Sequence, residues 1–263
     1  MDKDLVSVIM PTYNGSHFLV ESIESVLNQT YRNLELVITD DGSTDAATLD
    51  ILKLCEKKDN RVRVFFLEQN MGAGFARNHS LERAKGRYIA FCDSDDRWFP
   101  EKLEKQVAFL RKVNGCLAFS SYIICDQYNV NKGIVIAPSK VTLTMMKHDN
   151  KIGCLTAIYD TSVYGSFTMP TMRKRQDWAF FLKIMQKAGV AYGMREPLAY
   201  YRTRPHSISK NKFTLIKYNA KVYQTILGYS AFKSYCHLAF FFMPSYILKV
   251  IKKKIDSKRF LSV

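Results

Sequence analysis

The sequence predicts an α/β fold with a mainly parallel sheet covered by helices on both faces, and three observations carry that prediction. Apolar runs of strand length alternate with longer amphipathic segments four times in succession up to residue 113. The runs are continuously apolar, as strands buried on both faces require. Each strand-to-helix junction is short and polar.

Taken in order, residues 5–10 form the first strand and 16–28 the helix after it. The pairs 34–39 with 45–57, 62–67 with 73–85, and 87–92 with 101–113 repeat the unit. In such a sheet the carboxyl ends of the strands border the ligand crevice, so the four junctions are expected along one edge. From residue 116 the pattern changes. Strands at 116–124 and 134–136, with a turn at Gly133, read as antiparallel, and the stretch to about residue 172 carries little periodicity. A helix follows at 176–187, a short strand at 197–202, and two helical segments at 212–227 and 231–253, the last interrupted by Pro244.

With 47% hydrophobic and 13% aromatic residues the chain can bury a sizeable core, which excludes disorder and coiled coil. The six cysteines form no CxxC pair, and several lie in apolar runs as small core residues, which fits a reducing compartment. The charged start Met1-Asp2-Lys3-Asp4 runs straight into a strand, unlike a secretory signal, so a cytoplasmic location is expected. The formal charge of +15 is concentrated: residues 202–263 carry a net +12. That tail calls for a polyanionic partner, a membrane surface or a nucleic acid.

The junctions hold the chemistry. Asp93-Ser94-Asp95-Asp96 packs like charges that call for a cation, and its D-x-D spacing suits two oxygen ligands for Mg²⁺ or Mn²⁺ beside substrate phosphates. A solvated cap, with Asp96 opening the helix near residue 100, explains the same acids. Asp40-Asp41-Gly42-Ser43-Thr44 offers one carboxylate for capping and one for a ligand N–H. Pro11-Thr12-Tyr13-Asn14-Gly15 presents a hydroxyl and an aromatic face. Asn70 to Asn78 puts small residues and Arg77 at a helix start, where anions bind, but lacks the G-x-G-x-x-G register of a dinucleotide fold. Downstream, Asp177 lies among Arg173, Lys174 and Arg175, and by pattern alone is a helix-start acid or a catalyst. His206, a lone histidine, carries little weight.

In this order the stretches VSVIMPTYNG, LELVITDDGSTD, NMGAGFARN, YIAFCDSDDRW, RQDW and YYRTRPHSIS resemble the inverting glycosyltransferases of family 2, whose fold is GT-A, over residues 4–210. The resemblance implies that Pro11, Thr12, Tyr13 and Asp41 hold the base and ribose of a nucleotide sugar, and that Asn70, Gly72 and Arg77 border it. It implies that Asp93 sits near ribose or metal, that Asp95 ligates the metal, Mn²⁺ or Mg²⁺, and that Asp177 is the general base. Gln176 stands where the family often has Glu, which weakens any role for that position. UDP is the nucleotide the resemblance points to. Transfer by single displacement needs the leaving diphosphate neutralised and the acceptor hydroxyl deprotonated, and no enzyme nucleophile.

The expected organisation is a GT-A domain over 1–210, with a nucleotide-binding half at 1–114 and an acceptor-binding half at 115–210, followed by a basic amphipathic helical tail at 211–263. Fifteen uncharged residues between Lys233 and Lys249 are too few to cross a bilayer, so an interfacial helix with a cationic flank is expected on an anionic membrane; a terminal helix packed on the core is the alternative. A lipid-diphosphate or oligosaccharide acceptor, in O-antigen or capsule synthesis at the inner membrane face, fits that setting. Three rivals stand against it. A sugar nucleotidyltransferase should open with a glycine-rich phosphate loop, and a D-x-D phosphatase should carry the motif after its first strand. A nucleic-acid binder leaves the acidic clusters unexplained.

Overall fold

The computed structural model describes residues 4–204 and 212–262. Four parallel strands form one half of a ten-stranded sheet: β1 (Val6–Thr12), β2 (Leu34–Asp40), β3 (Val62–Phe66) and β4 (Tyr88–Phe91) stand in the order β3-β2-β1-β4. The crossover helices are α1 (Ser16–Leu27), α2 (Ala46–Lys58) and α3 (Ala73–Leu81), with α4 (Lys102–Val113) after a short strand β5 (Arg97–Trp98). Side chains alternate between two layers. Val8, Met10, Leu36, Ile38 and Ala90 pack with Leu19, Ile23, Leu52 and Leu103 beneath one face. Ile9, Val37, Ile89 and Phe91 pack on the other against Trp178, Phe180 and Phe181. Both faces are thus dry, which is why the strands read as unbroken apolar runs.

The second half joins through β6 (Leu117–Cys125), β7 (Asn131–Val135), β8 (Lys140–Thr142), β9 (Ile158–Asp160) and β10 (Val190–Arg202). β9 runs antiparallel to both β4 and β6, whereas β10 runs parallel to β6. The β6–β7 turn lies at Asp126 to Asn129, with Asn129 at φ 64°. Gly133, expected to make that turn, instead sits inside β7, where Ser257 of the C-terminal helix leaves no room for a Cβ. β10 is longer than the expected 197–202. Pro197 donates no ladder hydrogen bond, and the register shifts on both sides of it, which hides the strand from its pattern.

The helices α5 (Leu143–His148), α6 (Thr161–Tyr164) and α7 (Gln176–Ala188) belong to this half. Then come α8 (Lys212–Leu227), α9 (Ala231–His237), a π-helical turn over Leu238–Phe242 and α10 (Met243–Leu261). Pro244 does not break this rod, which runs from Ala231 to Leu261. The π-helical turn Leu238–Phe242 just before it widens the backbone where Pro244 brings no N–H, and the helix continues through it. The rod is long and apolar enough to cross a membrane by length and composition, contrary to the count of fifteen uncharged residues.

It also packs on the domain: Leu238 and Phe242 share the core of Trp178 and Tyr223. α10 lies with its polar side inward. Ser245 accepts from Lys151, Lys249 meets Asp149 at 3.1 Å, and Ser257 bonds the backbone of Ile134. Ile247, Leu248, Ile251 and Ile255 are exposed. All six cysteines are free.

Candidate active site

The four junctions meet along one edge of the sheet. Asp41 N donates to the carbonyl of Thr12 at 2.8 Å, and Asn14 Oδ1 accepts from the backbone N–H groups of Thr44 and Asp45. A Cβ on Gly15 would lie 2.8 Å from Thr12 Oγ1 and 3.4 Å from Ser94 Oγ, so the first and fourth junctions touch. Gly42, at φ 73°, lets the second junction press against the backbone of Gln69.

The acids of the second junction divide their tasks. Asp40 closes its own turn on Ser43, accepting from both N and Oγ. Asp45 caps α2 through Ala47 N, a contact worth about 1 kcal/mol. Asp41 accepts from Met71 N at 2.7 Å and Gly72 N at 2.8 Å, tying the second junction to the third. Burial pushes its carboxyl up, and those two N–H groups work against the shift. A carboxylate has about four lone-pair sites, so two bonds leave room for a ligand.

Pro11 and Thr12 end β1, and Thr12 Oγ1 is a buried hydroxyl with no hydrogen-bond partner among the described residues. The Tyr13 ring beside it is 47% exposed. Gly72 caps α3 at φ 93°, with Asn70 just before it. On the buried face of α3, Arg77 reaches Asp93 Oδ1 at 2.5 Å and Gln176 Oε1 at 3.4 Å. Burial opposes the Arg77 charge, but Asp93, helped by Cys154 and Asp177, more than compensates and keeps the guanidinium protonated. Gln176 therefore serves as a neutral acceptor for Arg77, and it also packs on Gly74.

The acidic junction is braced from behind. Arg202, 3% exposed, donates its backbone N–H to Asp96 Oδ1 and its Nε to the carbonyl of Asp95, while its guanidinium meets Asn129 and Glu21. Asp96 is not a helix cap: α4 opens at Glu101, three residues beyond β5, and the Asp96 carboxyl is buried behind the loop. Burial, then Asp95 and Asp93, push it well above the usual carboxylate range. Asp95 is raised for the same reasons, with Arg204 at 2.5 Å working against the shift.

A cavity of about 430 Å³ brings Arg77, Asp93 and Asp96 together with Asp177, although the two groups come from opposite halves of the chain. Asp177 lies in the first turn of α7 and accepts from Asn150 Nδ2 at 2.9 Å. Its approach is set by Arg175, which holds a left-handed φ of 66°, and by Asn78, which pins the preceding loop through both the N–H and the C=O of Met169. Pro11, Thr12, Tyr13, Asp41, Asn70, Gly72 and Asp95 lie outside that cavity, on the adjoining junctions. His206 lies outside the described residues.

Sequence reasoning noted the stretch of Arg202 and Arg204 without giving them a role, and missed Asn150 and Lys249. The two arginines had a signal, an Arg-x-Arg pair leaving a strand toward an acidic loop. Asn150 and Lys249 had none, because their partners are distant in sequence.

Comparison with known proteins identifies the family and the fold. The profile of glycosyl transferase family 2 matches residues 7–180. TuaG of Bacillus subtilis, named for teichuronic acid biosynthesis, is 44% identical over 85% of this chain and 89% of its own. WfgD of Escherichia coli, named a UDP-Glc:α-D-GlcNAc-diphosphoundecaprenol β-1,3-glucosyltransferase, is 38% identical over 82% of this chain and 84% of its own. Among solved structures, Staphylococcus aureus TarS 1–349 in complex with UDP-GlcNAc superposes with a TM-score of 0.68 at 23% identity, over 92% of this chain and 72% of that one. The mannosyltransferase PcManGT of Pyrobaculum calidifontis, in complex with GDP-Man and Mn²⁺, superposes at 0.61 with 16% identity, over 95% and 75%. Both share the fold. Polar junctions that converge on one edge, an acid on α7 lining the same cavity, and a family profile spanning well over half the sequence lead to one assignment: the chain belongs to glycosyl transferase family 2.

Proposed function

We propose that this glycosyltransferase moves a sugar from a UDP-sugar to a hydroxyl of a lipid-diphosphate-linked glycan, with inversion, in bacterial surface-polysaccharide synthesis. The observation that carries the reading is the meeting of Asp177 with the Arg77–Asp93 pair in one cavity. Asp177 takes the proton of the acceptor hydroxyl, whose oxygen bonds to the anomeric carbon as the bond to the leaving diphosphate breaks, and the diphosphate keeps the electron pair. Asn150 holds Asp177 through one oxygen and leaves the other for the hydroxyl.

On the donor side, the exposed Tyr13 ring suits stacking on a base and the unpartnered Thr12 hydroxyl suits a ribose contact. Pro11, Asp41, Asn70, Gly72 and Arg77 shape the same edge. Asp95 and Asp93 are the residues that would hold Mn²⁺ or Mg²⁺. They are hard oxygen donors, and Asp93 helps to raise the Asp95 carboxyl, a repulsion that a divalent ion relieves. Such an ion, when bound, neutralises charge on the leaving diphosphate.

The acceptor chemistry follows WfgD, and a second relative of the same named activity, WfaP, is 35% identical over 85% of this chain. The reading extends to location: a peripheral position at the cytoplasmic face of the cell membrane, with the exposed apolar side of α10 toward an anionic surface. The test is release of UDP from UDP-sugars with Mn²⁺ and a diphosphate-lipid acceptor. Asp177→Asn should lower kcat by about 10²- to 10⁴-fold with donor KM within twofold. Unchanged turnover in Asp177→Asn and Asp95→Asn, or no donor consumed, sinks the reading.

A further inference from the structure

The wall of the cavity around Asp177 is more basic than a donor site requires. Six cations line it: Arg77, Lys151, Arg173, Lys174, Arg175 and Lys249. Arg77 is committed to Asp93. Lys151 and Lys249 share one carboxylate, Asp149, at 3.3 and 3.1 Å. Among the described residues neither Arg173 nor Arg175 has a carboxylate partner, and Arg175 Nε is buried without a hydrogen bond. Arg175 is further held in the left-handed region, which a non-glycine residue occupies at some expense in conformational energy.

These charges crowd one another. Burial draws the Lys249 ammonium below its ordinary range, and Lys151 and Arg175 push it the same way against the pull of Asp149. Lys151, Arg173, Arg175 and Lys249 outnumber the acids beside them, Asp149 and Asp177, and a polyanion among them offsets that excess. They surround the base rather than the Asp95–Arg204 junction. Lys249 donates to the carbonyl of Asn150, whose side chain in turn donates to Asp177.

We propose that Lys151, Arg173, Arg175 and Lys249 form a second anion subsite, which holds the diphosphate of the acceptor. The inference rests on the transfer reading above and deepens it. In an acceptor of the kind WfgD is named for, a single sugar on the diphosphate, the reacting hydroxyl and the diphosphate sit on the same ring, so an oxygen at Asp177 places the phosphates about one ring away. The donor diphosphate belongs at Asp93 and Asp95. Two diphosphates thus meet in one active centre, separated by the acids of the D-x-D segment and the base. Guanidinium groups grip phosphate oxygens in pairs, which suits Arg173 and Arg175. The lipid beyond the diphosphate leaves along α10, which contributes Lys249 inward and Leu248 outward.

Steady-state kinetics with two acceptors of the same sugar test this, one a diphosphate lipid and one a phosphate-free alkyl glycoside. Arg175→Met and Arg173→Met should each raise KM for the diphosphate acceptor tenfold or more, while KM for the donor and for the alkyl glycoside stays within twofold. A rise in donor KM, or equal losses on both acceptors, overturns the proposal. Titration of inorganic pyrophosphate into metal-free protein provides a readout that needs no turnover. Binding that weakens tenfold in Arg175→Met or Lys249→Met, but not in Asp95→Asn, supports the subsite even if no donor is consumed and the transfer reading falls. Absence of pyrophosphate binding to the wild-type chain, or equal binding in all variants, overturns it.

Discussion

Arg202 and Glu21 meet at 2.5 Å across 181 residues of sequence, joining the last strand of the sheet to the first helix. The same arginine holds the backbone of Asp95 and the carboxylate of Asp96, so the acidic junction is positioned by a residue outside it. Removing it leaves Glu21 and the Asp95 carbonyl without their shared donor.

Arg202→Met should therefore lower stability by about 1–3 kcal/mol, the cost of leaving the Asp95 carbonyl without its donor, since Glu21 keeps water and Arg97 at 3.2 Å. It should also weaken Mn²⁺ binding. Arg202→Lys should recover less than half of either, since an ammonium cannot reproduce the planar fork. Urea unfolding and Mn²⁺ titration of the three proteins decide it.

Asp41→Asn keeps one acceptor and turns the other toward an N–H group. With Met71 N and Gly72 N both bonded to the wild-type carboxylate, the loss should be about 1–3 kcal/mol of stability. The donor should also bind more weakly, because the second and third junctions separate. Thermal unfolding with and without UDP measures both, and an unchanged stability would show that the two contacts are expendable.

Asp96 gives a pH signature. Its carboxyl titrates higher in the folded chain than in the unfolded one, so the folded state binds the extra proton above the ordinary carboxylate range. Its contribution to stability is complete below that range and is lost as pH rises through the folded pKa. Asp96→Asn retains an oxygen for Arg202 N, and its stability advantage over the wild type should grow from pH 4 to pH 7 in metal-free buffer. A difference that is flat with pH, or that shrinks, contradicts the buried placement.

Lys102 has the opposite sign. It is fully buried, with its ammonium 3.9 Å from the Trp98 ring centre and bonded to Gln106, and burial brings its pKa down to about 7. A depressed base adds stability as pH rises from about 7 toward its unfolded value near 10.5. Lys102→Met should be the more stable protein at pH 6, with the gap narrowing by pH 9. Guanidinium unfolding at the two values is the check.

Membrane association is tested on the exposed side of α10 rather than by deletion, since Leu238 and Phe242 belong to the core. Replacing Ile247, Leu248 and Ile251 with Glu should abolish flotation with anionic liposomes and leave the melting temperature nearly unchanged. The basic residues Lys252, Lys254 and Lys258 should add salt sensitivity, at about 1 kcal/mol each near the surface. Equal flotation of both proteins removes the helix from the argument.

The first half of the fold was legible because parallel strands dry on both faces leave uninterrupted apolar runs, and because each junction follows its strand directly. The second half hid for physical reasons. β10 carries Pro197 in mid-strand with shifted register, and Gly133 looked like a turn because nothing local announces Ser257 packing on it. Asp177 could be proposed by resemblance, but its restraint by Asn150 could not, since that contact depends on how two loops pack. Asp96 looked like a cap because its partner, Arg202, comes 106 residues later.

Lys249 closes one side of the cavity from a helix whose opposite side faces outward as a row of isoleucine and leucine. The exposed apolar row and part of the pocket wall are therefore carried by one continuous helix, and any shortened chain that stops before Lys249 loses part of both.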